Sequence, residues 1–447
     1  MSIITACLRW LPPALRKKIE SSPGFRKIMT NTGWLFGDRM LRMGGGLIVG
    51  IWLARYLGPE QFGLMNYAIA FVALFSSIAT LGMNDIVVRD LVLKPKLTNC
   101  TIGTAFVMQL CAASVALLLA ILAIDFIRPD EDSLKVMIVL LGSIMLLKST
   151  DVVKYWFESQ VESKYVVWIE NSAFLLISLA KVVMLILEMP LIAFVWAMFV
   201  ESLIVSLGFV FLFSTTVGRW SKLGPTLVRA KEILSESWPL LLSGLAIMVY
   251  MRIDQIMLGE MIGDGSVGIY SAAVRISELW YFVPMAIVAS VFPAILKSKE
   301  LDESLYIPRM TKLYSLMIAL SMLVAVPMTF LSESIVTLLY GDSYINAGGV
   351  LAIHVWSGIF VALGVVRGKW LLAEGLQIYS FWYVGLGACI NIVGNYLLIP
   401  LYSVEGAAVA TLISQGAVAI VIPLFLRKTR PSVLHMFSAL SFQNYLR

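Results

Sequence analysis

The strongest constraint on this chain is a succession of apolar runs, each about 20 residues long, that fills it from residue 33 to residue 426. At about 1.5 Å of rise per residue, such a run spans the hydrocarbon core of a bilayer when helical. Inside hydrocarbon no water is present to bond the backbone, so each run must close its own N–H and C=O groups as helix. The windows fall near residues 33–56, 62–83, 103–126, 134–156, 166–188 and 190–213, then 238–260, 267–296, 311–331, 347–371, 378–400 and 405–426. The expected fold is an all-α polytopic membrane protein with about 12 transmembrane helices.

Composition removes the other classes. The chain is 59% hydrophobic and 14% charged, against roughly a quarter charged for a soluble domain, so it cannot cover itself with polar surface. The net charge of +6 does not point to nucleic acid, because the basic residues fall between apolar runs, as membrane topology requires. No cysteine pair suggests an exported disulfide: Cys7 and Cys100 lie in basic segments, Cys111 and Cys389 in apolar runs. Residues 1–30, interrupted by Pro12, Pro13 and Pro23, lack the pattern of a cleavable signal, and Leu8 to Ile19 reads as an interfacial helix on the inner surface.

Alternate loops sort sharply by charge. With the N-terminus inside, one side holds Arg89, Lys94, Lys96, Lys154, Lys164, Arg219, Lys222, Arg229, Lys231, Lys297, Lys299, Arg309, Lys312, Arg367, Lys369, Arg427, Lys428 and Arg430, and the other only Arg55 and Arg128. The positive-inside rule then puts both termini in the cytoplasm. The organisation expected is an interfacial segment at 1–30, a six-helix half at 31–213, a cytoplasmic linker at 214–236, a second half at 237–426 and a cytoplasmic tail at 427–447. Leu57-Gly58-Pro59-Glu60-Gln61-Phe62-Gly63 matches Ile262-Gly263-Asp264-Gly265-Ser266-Val267-Gly268 at a constant offset. An even number of spans per half makes the repeats parallel, related by a pseudo-twofold axis along the membrane normal, as in rocker-type transporters.

The run Leu53-Ala54-Arg55-Tyr56-Leu57-Gly58-Pro59-Glu60-Gln61-Phe62-Gly63 resembles the first outer turn of lipid-linked oligosaccharide flippases. These form the O-antigen (Wzx-type) branch of the multidrug/oligosaccharidyl-lipid/polysaccharide (MOP) exporter superfamily. Three further stretches agree: Leu81-Gly82 through Arg89-Asp90, Arg252 through Gly259 to Gly268-Ile269-Tyr270 and Arg275, and Asn391 through Asn395 to Ile399-Pro400 and Gly406-Ala407-Ala408. The resemblance implies a MATE-like fold in the bacterial inner membrane. It implies movement of undecaprenyl-diphosphate-linked oligosaccharide from the cytoplasmic to the periplasmic leaflet, for O-antigen or other surface polysaccharide, by alternating access through a central polar cavity. The partners expected are that lipid-linked sugar, membrane lipids and polysaccharide polymerase machinery. No cofactor, metal or catalytic nucleophile is expected, and H+ and Na+ both stay open as the coupling ion. The alternative is an ion-coupled multidrug or metabolite antiporter of the same superfamily.

Charges inside the spans carry the functional reading, each costing roughly 2.5 to 3.5 kcal/mol near a helix centre. Asp38 with Arg42, Lys148 with Asp151 and Arg275 with Glu278 have the spacing to pair along one helix face. Arg39, Lys181, Arg252 and Glu201 have no opposite charge three or four residues away along the chain. A guanidinium suits a diphosphate because it stays charged and donates in a fork. Arg252 is thus the first expected head-group contact and Arg39 the second, with Arg275, Lys181, Arg42 and Lys148 behind them. Glu201, Asp254 and Asp38 are the ion-coupling candidates, Glu201 first as a lone mid-span carboxyl. His354 reads as a packed or hydrogen-bonded helix residue.

Overall fold

The computed structural model describes residues 23–218, 220–301 and 303–440; the expected helix at Leu8 to Ile19 and Cys7 lie outside them. The described elements are helices α1 (Pro23–Thr80), α2 (Asn84–Leu93), α3 (Thr98–Ile127), α4 (Asp132–Leu147), α5 (Val152–Ser159), α6 (Lys164–Ile186), α7 (Leu191–Thr216), α8 (Leu227–Ile262), α9 (Asp264–Leu279), α10 (Phe282–Leu301), α11 (Glu303–Tyr340), α12 (Ala347–His354), α13 (Ser357–Ala373), α14 (Ile378–Gly416), α15 (Ile422–Phe425) and α16 (Arg430–Leu440). Short 3₁₀ turns join some of them, and a π-helical turn, Ala417–Val421, links α14 to α15. Among the described residues no strand occurs.

Among the described residues, ten stretches are long and apolar enough to cross a membrane. Two of these, Thr30–Leu93 and Ile378–Phe425, run to 64 and 48 residues, too long for single crossings. Each is broken, at Gly58 (φ 69°, ψ 173°) and at Ser403 (φ 52°, ψ −135°). The arms beside Ser403 lie against each other, since a Cβ at Gly394 would sit 3.0 Å from that of Ala410. The ten stretches therefore carry the twelve crossings read from hydropathy.

The chain packs as two compact units, the described part of Met1–Gly50 with Phe75–Leu242, and Ile51–Leu74 with the described part of Ser243–Arg447. In the first, α3 packs on α4, α4 on α7, α6 on α7 and α2 on α5. Its core gathers Met83, Ile86, Val87, Ile102, Val152, Phe157, Phe209 and Phe213. The start of α8 is clamped to this unit by charge. The Arg229 guanidinium donates to buried Asp90, to Thr101 Oγ1 at 3.2 Å and to Glu232 at 2.6 Å, while Arg89 reaches Glu236 at 2.5 Å. In the second unit α11 is the hub, touching α10, α12, α13 and α16, around a core that includes Tyr314, Met317, Val366, Trp370 and Tyr383.

Within the second unit the two matching turns meet. Gly58 and Gly263 occupy equivalent places and both have positive φ, 69° and 95°, a conformation glycine adopts without a Cβ penalty. Five residues on, Gly63 and Gly268 bring their backbones together. A Cβ at Gly63 would lie 2.8 Å from the Gly268 amide nitrogen, and one at Gly268 would lie 3.1 Å from that of Gly63. Because backbone cannot swing aside as a side chain can, this contact requires the absence of a Cβ on both sides. Gly63→Val or Gly268→Val should lower stability by about 1 to 3 kcal/mol, read as a fall in the melting temperature of detergent-solubilised protein. Gly364→Ala, where a Cβ meets nothing within 4 Å, should leave it unchanged or slightly raised.

Candidate functional site

Each intramembrane charge in the first unit finds company, and the helices that carry these charges enclose a cavity of about 370 Å³. Arg42 enters from α1, Lys148, Thr150 and Asp151 from the 3₁₀ turn after α4, Lys154 from α5, Glu170 and Lys181 from α6, and Glu201, Ser202 and Ser206 from α7. Four cations face three carboxylates. Arg42 Nε donates to Asp38 at 2.8 Å, its Nη2 lies 3.5 Å from Glu170, and Glu170 also takes Lys154 at 3.3 Å. The guanidinium stands over the Phe174 ring, 5.7 Å from its centroid. Arg42 Nη2 is buried and has no hydrogen-bond acceptor beyond this 3.5 Å ion pair with Glu170.

Lys181 and Glu201 lie 3.5 Å apart across α6 and α7. The expectation of a lone carboxyl at Glu201 is corrected by this pair. Helix-to-helix pairing leaves no trace at three- or four-residue spacing, which registers only neighbours on one helix. Of the expected binding residues, the structure therefore brings Arg42, Lys148 and Lys181 to one cavity. Arg39 is exposed on α1 and is not among its lining residues. Asp38 stands behind Arg42 as its ion-pair partner.

Arg252, Asp254 and Arg275 belong to the second unit. Asp254 is buried and accepts three hydrogen bonds, from Tyr270 at 2.6 Å, Thr411 at 2.7 Å and Asn395 at 2.6 Å. Asn391 and Asn395, one turn apart on α14, bond each other at 3.2 Å, and the Asn395 Oδ1 atom is buried without a donor. Arg252 is half-buried. Arg275 sits 5.8 Å from the Phe62 ring centroid. His354 is buried with Nδ1 2.6 Å from Ser277 Oγ, a packed helix residue. No group of three or more His, Cys, Asp or Glu side chains suited to a metal ion occurs among the described residues.

Sequence reasoning placed both Lys154 and Arg367 with the loop residues. Arg367, counted with the loop residues, is buried within α13, where it donates to the Val418 and Ala419 carbonyls at 2.6 and 2.8 Å and stands 4.7 Å from the Tyr383 ring centroid. A π-helical turn loosens the backbone ladder, and Arg367 binds the two carbonyls there. Its position four residues before the end of an apolar window was the available signal. Lys154 meets Arg42 only through Glu170 on α6, a link between helices that no spacing along the chain marks.

Comparison with known proteins agrees with this architecture. The chain is 30% identical over 186 residues to the probable flippase AglR of Haloferax volcanii, a match taking in 39% of this chain and 37% of that protein. It is 21% identical over 403 residues to the capsular polysaccharide biosynthesis protein CapF of Staphylococcus aureus, covering 87% of this chain and 96% of the other. Among solved structures, an inward-facing multidrug resistance MATE family transporter of the MOP superfamily superposes with a TM-score of 0.71 at 13% identity, over 90% of this chain and 96% of the other. The lipid II flippase MurJ in an inward closed conformation gives 0.63 at 14%, over 94% and 89%. These two likenesses show the fold, which is MATE-like. The model of the polysaccharide biosynthesis protein family matches residues 28–299, more than half of the chain, and together with the twelve-helix architecture this establishes that the chain belongs to that family.

Proposed function

We propose that this protein is a flippase that turns undecaprenyl-diphosphate-linked oligosaccharide from the cytoplasmic to the periplasmic leaflet of a bacterial inner membrane, for O-antigen or another surface polysaccharide. The observation that carries this reading is the polar cavity of the first unit, where Arg42, Lys148, Lys154 and Lys181 line one space. A sugar diphosphate cannot enter hydrocarbon without partners for its polar groups. A polar cavity lined by Arg42, Lys148, Lys154 and Lys181 offers them cationic partners, and the isoprenoid tail can stay in the bilayer. The names of AglR and CapF, a probable flippase and a capsular polysaccharide biosynthesis protein, support the same class of substrate.

In this reading Arg42, Lys148 and Lys181 receive the diphosphate, and Arg252, Arg275 and Arg39 stay as further head-group contacts. Removing a charge-assisted contact costs roughly 1.5 to 3 kcal/mol, which lowers transport by about ten-fold or more. Lysine keeps the charge but not the fork. For both Arg42 and Arg252, export should therefore fall in the order wild type, lysine variant, alanine variant, read as surface polysaccharide per membrane-inserted molecule. Equal export per molecule in all forms would remove that arginine from the path. If a small organic cation, not a lipid-linked sugar, proves to be exported, the antiporter reading replaces this one.

Asp254 is the stronger coupling candidate, because Glu201 and Asp38 are each held by a cation whereas Asp254 meets neutral hydrogen-bond donors and lies near the unsatisfied Asn395 Oδ1. H+ or Na+ exchanging there would tie the ion gradient to turnover. Asp254→Asn should make transport in proteoliposomes insensitive to an imposed H+ or Na+ gradient while head-group binding persists. Undiminished gradient dependence would assign the coupling elsewhere.

The charge-sorted loops put both termini in the cytoplasm in this scheme. Cys100, partly exposed and 3.4 Å from Thr226 Oγ1, should then react with a membrane-impermeant thiol reagent in inverted vesicles and not in intact cells. Labelling of Cys100 in intact cells would reverse the orientation.

A further inference from the structure

A second cavity of about 390 Å³ opens between α10 and α11, in the second unit and away from the Asp254 network. Its lining changes in character along α11. Near the connection between the two helices stand Arg309 and Lys312, three residues apart on one face of α11. Beyond them along α11 the wall is apolar, with Leu313 and Leu316, and α10 contributes Val291, Ala294 and Ile295.

Both cations are exposed, and among the described residues neither has a carboxylate within ion-pair distance. This sets them apart from Arg42, Lys154, Lys181 and Arg229, each of which is paired. Arg309 precedes the apolar window at residues 311–331 and Lys312 stands at its edge, where a span meets the lipid head groups.

We propose that this groove is a binding site for an anionic phospholipid, with its phosphodiester on Arg309 and Lys312 and one acyl chain along Val291, Ile295, Leu313 and Leu316. The charge complementarity and the polar-to-apolar order along the groove select an amphiphile with an anionic head. A neutral zwitterion brings its own cation to the same place, and a soluble anion leaves the apolar wall uncovered. Each cation near anionic lipid contributes about a five-fold preference, so the two together favour an anionic lipid by about 25-fold.

The test uses the purified full chain in detergent, titrated with phosphatidylglycerol or with phosphatidylcholine of identical acyl chains, and bound lipid is counted by native mass spectrometry. Wild type should hold one phosphatidylglycerol about 25-fold more tightly than phosphatidylcholine. The Arg309→Gln, Lys312→Gln double variant should lose that preference and keep the weaker binding. Ala294→Trp, which fills the groove without touching the charges, should weaken both lipids at unchanged elution volume and melting temperature. A wild type without preference, or a preference that survives the double variant, overturns the proposal. Tighter binding of undecaprenyl phosphate than of phosphatidylglycerol to the same two cations also overturns it, and assigns the groove to the transported lipid.

Discussion

A charged or polar group held in hydrocarbon must be met by a partner within the protein, because the solvent there offers none and the cost of leaving it bare is several kcal/mol. The helices of this protein are arranged around that requirement. Asp38, Arg42, Glu170 and Lys154 form a chain of ion pairs across α1, α5 and α6, and Lys181 meets Glu201 between α6 and α7. Arg367 has two backbone carbonyls in a π-helical turn, and buried Asp90 has Arg229. Asp254 is met by a tyrosine, a threonine and an asparagine.

The manner of satisfaction separates scaffold from site. Asp90 and Arg229 are almost fully enclosed and further held by Thr101 and Glu232, so they fasten the start of α8 and have little capacity left for a ligand. The cavity charges are satisfied less completely. Arg42 meets Asp38 at 2.8 Å, but the other ion pairs run from 3.3 to 3.5 Å, longer than a good charge-assisted hydrogen bond. Loose pairing around a polar space lets an incoming anion compete for the cations without leaving a bare charge behind, because the carboxylates stay within reach of the remaining cations.

Glycine sets the closest approach in the second unit. The turns at Gly58 and Gly263 share the same unusual backbone, and the contact of Gly63 with Gly268 follows from the helices that leave them. The internal repeat thus has a direct physical expression, in which equivalent residues from two stretches of sequence lie against one another. Around it Tyr344 Oη donates to the Ala54 carbonyl at 2.9 Å, Arg55 to that of Leu338 at 2.6 Å and Tyr67 to Glu260 at 2.7 Å. Side-chain hydrogen bonds therefore reinforce a packing that only glycine permits.

Much of this was legible in the order of residues, and the rest was not, for one reason. Periodicity and run length report what each helix needs from its surroundings, so the twelve spans, the breaks near Gly58 and Gly263, the self-pairing of Asp38 with Arg42 and most of the costly charges could be read directly. Partners on other helices could not. Lys181 with Glu201, Glu170 with Arg42 and Lys154, and Asp254 with Tyr270 and Thr411 are separated by many residues along the chain, and their meeting depends on how helices rotate and pack. Arg367 shows the limit most clearly, since its partners are backbone carbonyls, which every residue carries and no sequence pattern marks. The sequence alone determined that this protein spans a membrane as a helical bundle with charges in its spans; only the tertiary structure decided which of those charges share a cavity, because that depends on inter-helix distances of a few ångströms that local spacing does not encode.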